Sequence, residues 1–281
     1  MGGIKNPGHR WCTLFVLVSM LMLVSGCSMI EQRVVYGPGR YLQSWEQPTR
    51  SEVAGLNVEE VQFRSLDGTR LYGWFVQPAH VEPENVILFA HGRSENVSSL
   101  KSRLFEFVKR HQVAVLVFDY RGYGKSDGNP SETGLYDDFT AARDWLAHRT
   151  GIQPSEVIMM GRSLGAAVAI DVAARDGAKA LIVESGFTSL PDVVRHHTRN
   201  LLAGNFFQAK FESQRKIGKF SGPVFISHGK SDKVIPESQG IRLAQAARNA
   251  SSVQFVEVEG GHSTPPSEAY AKKLDEFLKR L

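Results

Sequence analysis

From residue 86 onward the chain repeats one pattern, a short unbroken apolar run followed by a stretch of helical periodicity. The runs are V-I-L-F-A (86–90), V-A-V-L-V-F (113–118), V-I-M-M (157–160), A-L-I-V (180–183), P-V-F-I-S (223–227) and V-Q-F-V-E-V (253–258). Helical periodicity falls at about 98–111, 133–149, up to 176, 237–249 and 267–280. Continuous apolar runs alternating with helices predict a mostly parallel sheet covered on both faces, hence an α/β fold. Ahead of this pattern, V-E-E-V-Q-F-R-S and R-L-Y-G-W-F-V flank L-D-G-T. An Asp-Gly between two β-rich runs predicts an antiparallel hairpin. Residues 28–56, with Gly37-Pro38-Gly39 and Pro48, show little periodicity and read as a tether. Residues 188–220 lack a clear strand and read as a short cap insertion.

In an open α/β sheet, ligands gather at the carboxyl ends of the strands. There the sequence places His91-Gly92-Arg93, then D-Y-R-G-Y-G-K-S, G-R-S-L-G, H-G-K-S-D-K-V-I-P and E-G-G-H-S. G-R-S-L-G (161–165) between a strand and a helix fits a nucleophile elbow, a sharp turn that lifts the serine oxygen above the sheet. Gly161 and Gly165 flank Ser163 because side chains there would collide across the turn. The N–H of Leu164, at the positive end of the helix, is placed to stabilise an oxyanion. A serine capping an ordinary helix would need no partners. Here Asp232 and His262 follow in the chain order Ser…Asp…His, each just past a predicted strand. The expected roles are Ser163 as nucleophile, His262 as general base and acid, and Asp232 as its orienter.

Together with L-D-G-T-R-L-Y-G-W-F, H-G-R-S-E-N and E-S-G-F-T-S, these segments resemble the α/β-hydrolase superfamily, and its small lipase/esterase-like bacterial lipoproteins, over about residues 53–281. The resemblance implies that the H-G-x loop supplies a second oxyanion N–H, here from Arg93, and that His91 props that loop. His228 is expected to be structural and Asp119 to stabilise a turn. His196 and His197 point apart on a helix, and neither H-E-x-x-H nor a free cysteine pair occurs, so no metal and no cofactor are expected. Gly124-Lys125-Ser126 is no phosphate loop, because position 119 is Asp where that motif needs Gly.

The first 26 residues read as a secretory signal. Lys5 and Arg10 precede an uncharged apolar stretch from 11 to 24. That stretch is short of the roughly 20 residues that span a bilayer. V-S-G-C resembles a bacterial lipobox, which makes Cys27 the lipidated residue, and Ser28 after it points to the outer membrane, periplasmic face, where the host has one. The only other cysteine, Cys12, lies in the signal, so no disulfide is expected. Without the signal the charge falls from +4 to +2, since 31 basic residues then face 29 acids, which gives nucleic-acid binding no support.

The expectation is a lipid-anchored monomeric serine hydrolase (residues 57–281) acting on carboxylic esters or thioesters. The cap, carrying Phe206, Phe207 and Phe211 among basic residues, is read either as an acyl- and lipid-contacting lid or as a solvated amphipathic cover. A serine peptidase or amidase with the same triad, and a non-catalytic envelope-binding lipoprotein, are the alternatives. A haloalkane-type enzyme is excluded because it needs a carboxylate at position 163.

Overall fold

A computed structural model of the protein describes residues 31–37, 45–200, 203–265 and 267–281. The signal and Cys27 lie outside the described residues.

Eight strands form one sheet: β1 (Leu56–Arg64), β2 (Arg70–Pro78), β3 (Val86–Ala90), β4 (Ala114–Asp119), β5 (Ile158–Arg162), β6 (Leu181–Glu184), β7 (Val224–Gly229) and β8 (Val253–Val258). The order is β1-β2-β4-β3-β5-β6-β7-β8. The hairpin β1–β2 adds antiparallel to β4, and all other pairs are parallel. The α-helices are α1 (Lys101–His111), α2 (Glu132–Thr150), α3 (Leu164–Asp176), α4 (Leu190–Thr198), α5 (Ser213–Ile217), α6 (Glu237–Ala246) and α7 (Glu268–Leu278).

The apolar runs are uninterrupted because both faces are buried. Ile87, Val115 and Met160 point to the layer of α1 and α7, where Leu104, Phe105 and Leu274 meet them. Their neighbours Leu88, Leu116 and Met159 point to the opposite layer, against Phe139, Val168 and Leu243. Burying one such side chain contributes about 1.5–3 kcal/mol. Three helix starts carry serine caps: Ser131 accepts from the Gly134 N–H, Ser189 from Asp192 and Ser267 from Tyr270. Helix α6 stops at Ala246, three residues before the expected 249, where Arg248 turns its N–H onto the Ala246 carbonyl.

The segment expected to be a free tether is in part docked. Residues Gln32–Tyr36 form a wide helical turn with Val35 and Tyr36 buried. The Glu31 carboxylate accepts from the Gln208 and Ala209 N–H groups at 2.7 and 3.0 Å, and Tyr123 donates to the Tyr36 carbonyl at 2.5 Å. Trp45 packs edge-on against Trp74.

The loop after β4 is fixed by a buried ion pair. Asp138 of α2 is fully buried and accepts from the Arg121 N–H at 2.8 Å and from its guanidinium at 2.7 Å. Removing the guanidinium strands the buried Asp138 charge, whereas Arg121 also has Asp67 at 2.8 Å. Arg121→Ala is therefore expected to lower unfolding free energy by about 3–5 kcal/mol, measured by urea denaturation. A loss under 1 kcal/mol would contradict this role.

Candidate active site

Strands β3 and β5 are neighbours, with Ala90 opposite Gly161. Strand order reverses here, so the loops after these strands open into one crevice. Ser163 sits on the turn from β5 to α3 with φ 54° and ψ −116°, a strained conformation for a residue with a side chain. A Cβ on Gly161 would lie 2.2 Å from the Gly165 carbonyl oxygen, and one on Gly165 would lie 2.1 Å from that of Ala90. Glycine is therefore the residue that lets helix, elbow and β3 close up. The Ser163 N–H donates to the Glu184 carbonyl at 2.9 Å, which holds the elbow to β6.

The three residues picked out by chain order come together. His262 Nε2 is 3.0 Å from Ser163 Oγ, and Nδ1 is 2.7 Å from Asp232 Oδ2. Asp232 Oδ1 accepts from the Val234 and Ile235 N–H groups at 2.9 and 2.8 Å. Burial raises the Asp232 carboxyl, but contacts from His228 and His262 and the Ile235 N–H outweigh it and hold it well below the usual carboxylate range. His228 is buried, with Nε2 2.8 Å from the Ile235 carbonyl and 3.5 Å from Asp232 Oδ2. It braces the aspartate.

Leu164 is the first residue of α3, so its N–H has no carbonyl to meet within the helix. A Cβ on Gly92 would lie 3.6 Å from Ser163 Cβ, so the loop carrying Arg93 runs alongside the serine. The Arg93 side chain turns outward and donates to the Arg33 carbonyl at 3.0 Å. His91 is fully buried and packs on Tyr120 and Tyr123. Burial pushes it down to about 4, against the Gly92 carbonyl and Glu95. A neutral ring bonded through Nδ1 to the Gly92 carbonyl at 2.9 Å is a prop for this loop. Asp119 accepts from the Val97 and Lys125 N–H groups and so ties its turn.

Two positions that tie these loops together escape a reading of the sequence. Glu95 accepts from the Gly92 N–H at 2.6 Å and pairs with Arg162, whose other arm donates to the His262 carbonyl at 2.7 Å. One clamp thus joins the loop after β3, the elbow and the histidine loop. The only sequence signals are the variable position of G-x-S-x-G and the Glu of H-G-R-S-E.

Ser163 and His262 open on a groove of about 1180 Å³ between α1 and the start of α7. Common small-ligand sites span about 300–1,000 Å³. Its apolar lining includes Leu100, Phe107, Val234, Pro265 and Ala271. None of the described residues from 188 to 220 lines it. Phe211 instead is fully buried against Tyr36, Tyr136 and Phe187, so it contacts no acyl chain in the groove, whereas Phe206 is exposed. Below the groove, Glu184 bonds to Arg103 and to the Tyr270 hydroxyl. Burial raises its carboxyl, but Arg103 and that hydroxyl outweigh it and keep it below its ordinary value.

Arg162→Ala should slow reaction of Ser163 with a fluorophosphonate by up to about 10²-fold, the penalty of a misplaced reacting group. An unchanged labelling rate would remove the clamp from the site. Asp232, with its folded pKa depressed, contributes stability that is complete above the unfolded value of about 3.9 and is lost as pH falls through the folded one. The stability difference between wild type and Asp232→Asn should therefore narrow as pH drops below about 4. A difference that is constant from neutral to acid pH would contradict an ionised, hydrogen-bonded Asp232.

The model of the family described as "Serine aminopeptidase, S33" matches residues 81–204. "Uncharacterized protein YfhR" of Salmonella typhimurium is 30% identical over 275 residues, covering 92% of this chain and 90% of that protein. "Alpha/beta hydrolase domain-containing protein 17B" of Homo sapiens is 32% identical over 238 residues, covering 84% and 79%. Among solved structures, an α/β-hydrolase from Vibrio vulnificus superimposes with a TM-score of 0.73 at 21% identity, covering 99% of this chain and 95% of that one. The Pyrococcus furiosus esterase Pf2001 does so with a TM-score of 0.71 at 18% identity, covering 84% and 95%.

Proposed function

The chain belongs to the α/β-hydrolase superfamily, and from that premise we propose that it is a membrane-anchored serine hydrolase of carboxylic esters or thioesters. The observation that carries this reading is the hydrogen-bonded series Ser163–His262–Asp232 at the mouth of the groove.

In the proposed reaction Ser163 Oγ attacks the substrate carbonyl while His262 Nε2 takes its proton. The N–H groups of Leu164 and Arg93 receive the oxyanion. Collapse breaks the bond to the alcohol or thiol, which leaves with the proton from His262. Water then attacks the acyl-Ser163, again with His262 as base, and the acid departs. Asp232 keeps Nδ1 protonated and stabilises the charged ring.

The groove lining weighs against an ammonium-bearing peptide. Arg93, Arg103, Lys109, Arg110 and Arg162 line it against Glu95, Glu106 and Glu268. With the Arg93 side chain turned outward and Glu184 behind Arg103, the lining is balanced in charge and offers no acidic surplus to a substrate ammonium, which suits neutral acyl substrates. The recess under Leu100 and Phe107 holds only about 10 Å³, room for about one water, so an acyl chain would lie along the groove. The anchor is a lipid on Cys27, which places the enzyme in a bacterial envelope, at the periplasmic face of the outer membrane where the host has one.

p-Nitrophenyl esters of graded length test the reading. Wild type should turn them over, Ser163→Ala should lose about 10⁶-fold in kcat and Asp232→Asn about 10⁴-fold. Turnover of aminoacyl amides but not esters would replace it with the peptidase reading. No turnover and no fluorophosphonate labelling would favour a binding protein.

A further inference from the structure

Among the described residues seven large hydrophobic side chains are exposed, one of them, Ile241, on α6. Val34, Phe206 and Val234 are 51, 73 and 46% exposed; Val234 lines the groove, and hydrogen bonds link the segments of the other two to its loops. Leu66 sits in the β1–β2 turn at the same end of the sheet, because Tyr72 pairs with Asp119, the last residue of β4, and the turn projects beyond it. Val81 and Val253 lie at the opposite end, before β3 and at the start of β8.

The three rim residues belong to one series of contacts. Val234 lines the groove, and its carbonyl meets His197 Nε2 of α4 at 2.9 Å. Helix α4 runs on to the turn Ala203–Phe206, which packs against Pro191 at Gly204. Just beyond, the Gln208 and Ala209 N–H groups hold Glu31, and the Arg33 carbonyl next to Val34 accepts from Arg93, which lines the groove again. Arg33, Arg93, Arg199 and Lys233 are exposed along this path. The acids on it are engaged: Glu31 by the two N–H groups, Asp192 by Arg195 and Arg242, and Asp232 by His262.

We infer that this rim is a docking face for an anionic bilayer, with the docked turn at 31–37 fixing the mouth toward the membrane. The inference rests on the lipid-anchor reading for its geometry. Cys27 and the pinned Glu31 are four residue steps apart, and an extended chain reaches about 3.3–3.6 Å per step. A lipid on Cys27 therefore enters the bilayer within about 14 Å of the rim. Isolated anchoring would leave the domain free to tumble. A pinned anchor, three apolar side chains and exposed cations orient it, so that substrate reaches Ser163 from the lipid surface.

The test uses the full chain, exported and reconstituted in vesicles of phosphatidylglycerol and phosphatidylethanolamine. With Cys27 acylated, Phe206→Cys or Val253→Cys gives a single free thiol for an environment-sensitive fluorophore. The expected result is a several-fold rise in emission at 206, quenched by brominated lipid, with no change at 253. Arg199→Glu with Lys233→Glu, or vesicles of phosphatidylcholine alone, should reduce the rise at 206. A probe at 206 that stays in water, or equal signals at 206 and 253, would overturn the docking face. Labelling of wild type at Cys27 would show the anchor reading to be wrong. Docking at 206 in that protein would still support the rim, and its absence would remove both.

Discussion

The structure depends on one close approach, between the start of α3 and the end of β3. Gly165 stands so near the Ala90 carbonyl that no side chain fits between them. Ala90 is paired with Gly161, so the same contact fixes the strand that enters the elbow. With the helix drawn tight against the sheet, Ser163 is forced into its strained turn and its oxygen stands clear of the sheet. The loop after β3 then has nowhere to run but past that oxygen. Backbone packing thus sets the course of the Ser163 turn and of the loop after β3, and Glu95 and His91 hold that loop through Gly92.

The histidine loop is added to this frame by polar contacts. Thr264 braces Gly261, the Gly260 carbonyl receives the Ser231 N–H, and Arg162 holds the His262 carbonyl. Asp232 is held ionised by His228, His262 and backbone donors, although burial opposes it. Such preorganisation suits a site whose charge develops during reaction. The groove is made by α1 and α7, on the other side of the sheet from the layer that holds α3.

Much of this was legible in the residues. Burial on both faces leaves unbroken apolar runs, so strands such as 86–90 and 253–258 stand out, and Asp67-Gly68 marks the hairpin. The elbow is legible because only glycine satisfies its two contacts. The clamp of Glu95 and Arg162 is not, because it joins residues 67 positions apart and carries no local preference. The walls of the groove are hidden too: Arg103 looks like part of an ordinary helix face until Glu184 meets it, and Phe107 until α7 closes the other wall. The docked turn at 31–37 has no periodicity, since Tyr36 is held by distant Phe211 and Tyr123. The cap phenylalanines were ambiguous by composition, and tertiary packing buries Phe211 but leaves Phe206 in solvent.

The central claim is that catalysis passes through an acyl group on Ser163. The most direct measurement is mass spectrometry of protein quenched in acid within milliseconds of mixing with a p-nitrophenyl ester. The expected result is an adduct of the acyl mass on the peptide containing Ser163, absent from Ser163→Ala and decaying at the rate of turnover. Turnover at full rate with no adduct, or an adduct on another residue that Ser163→Ala leaves in place, would contradict it.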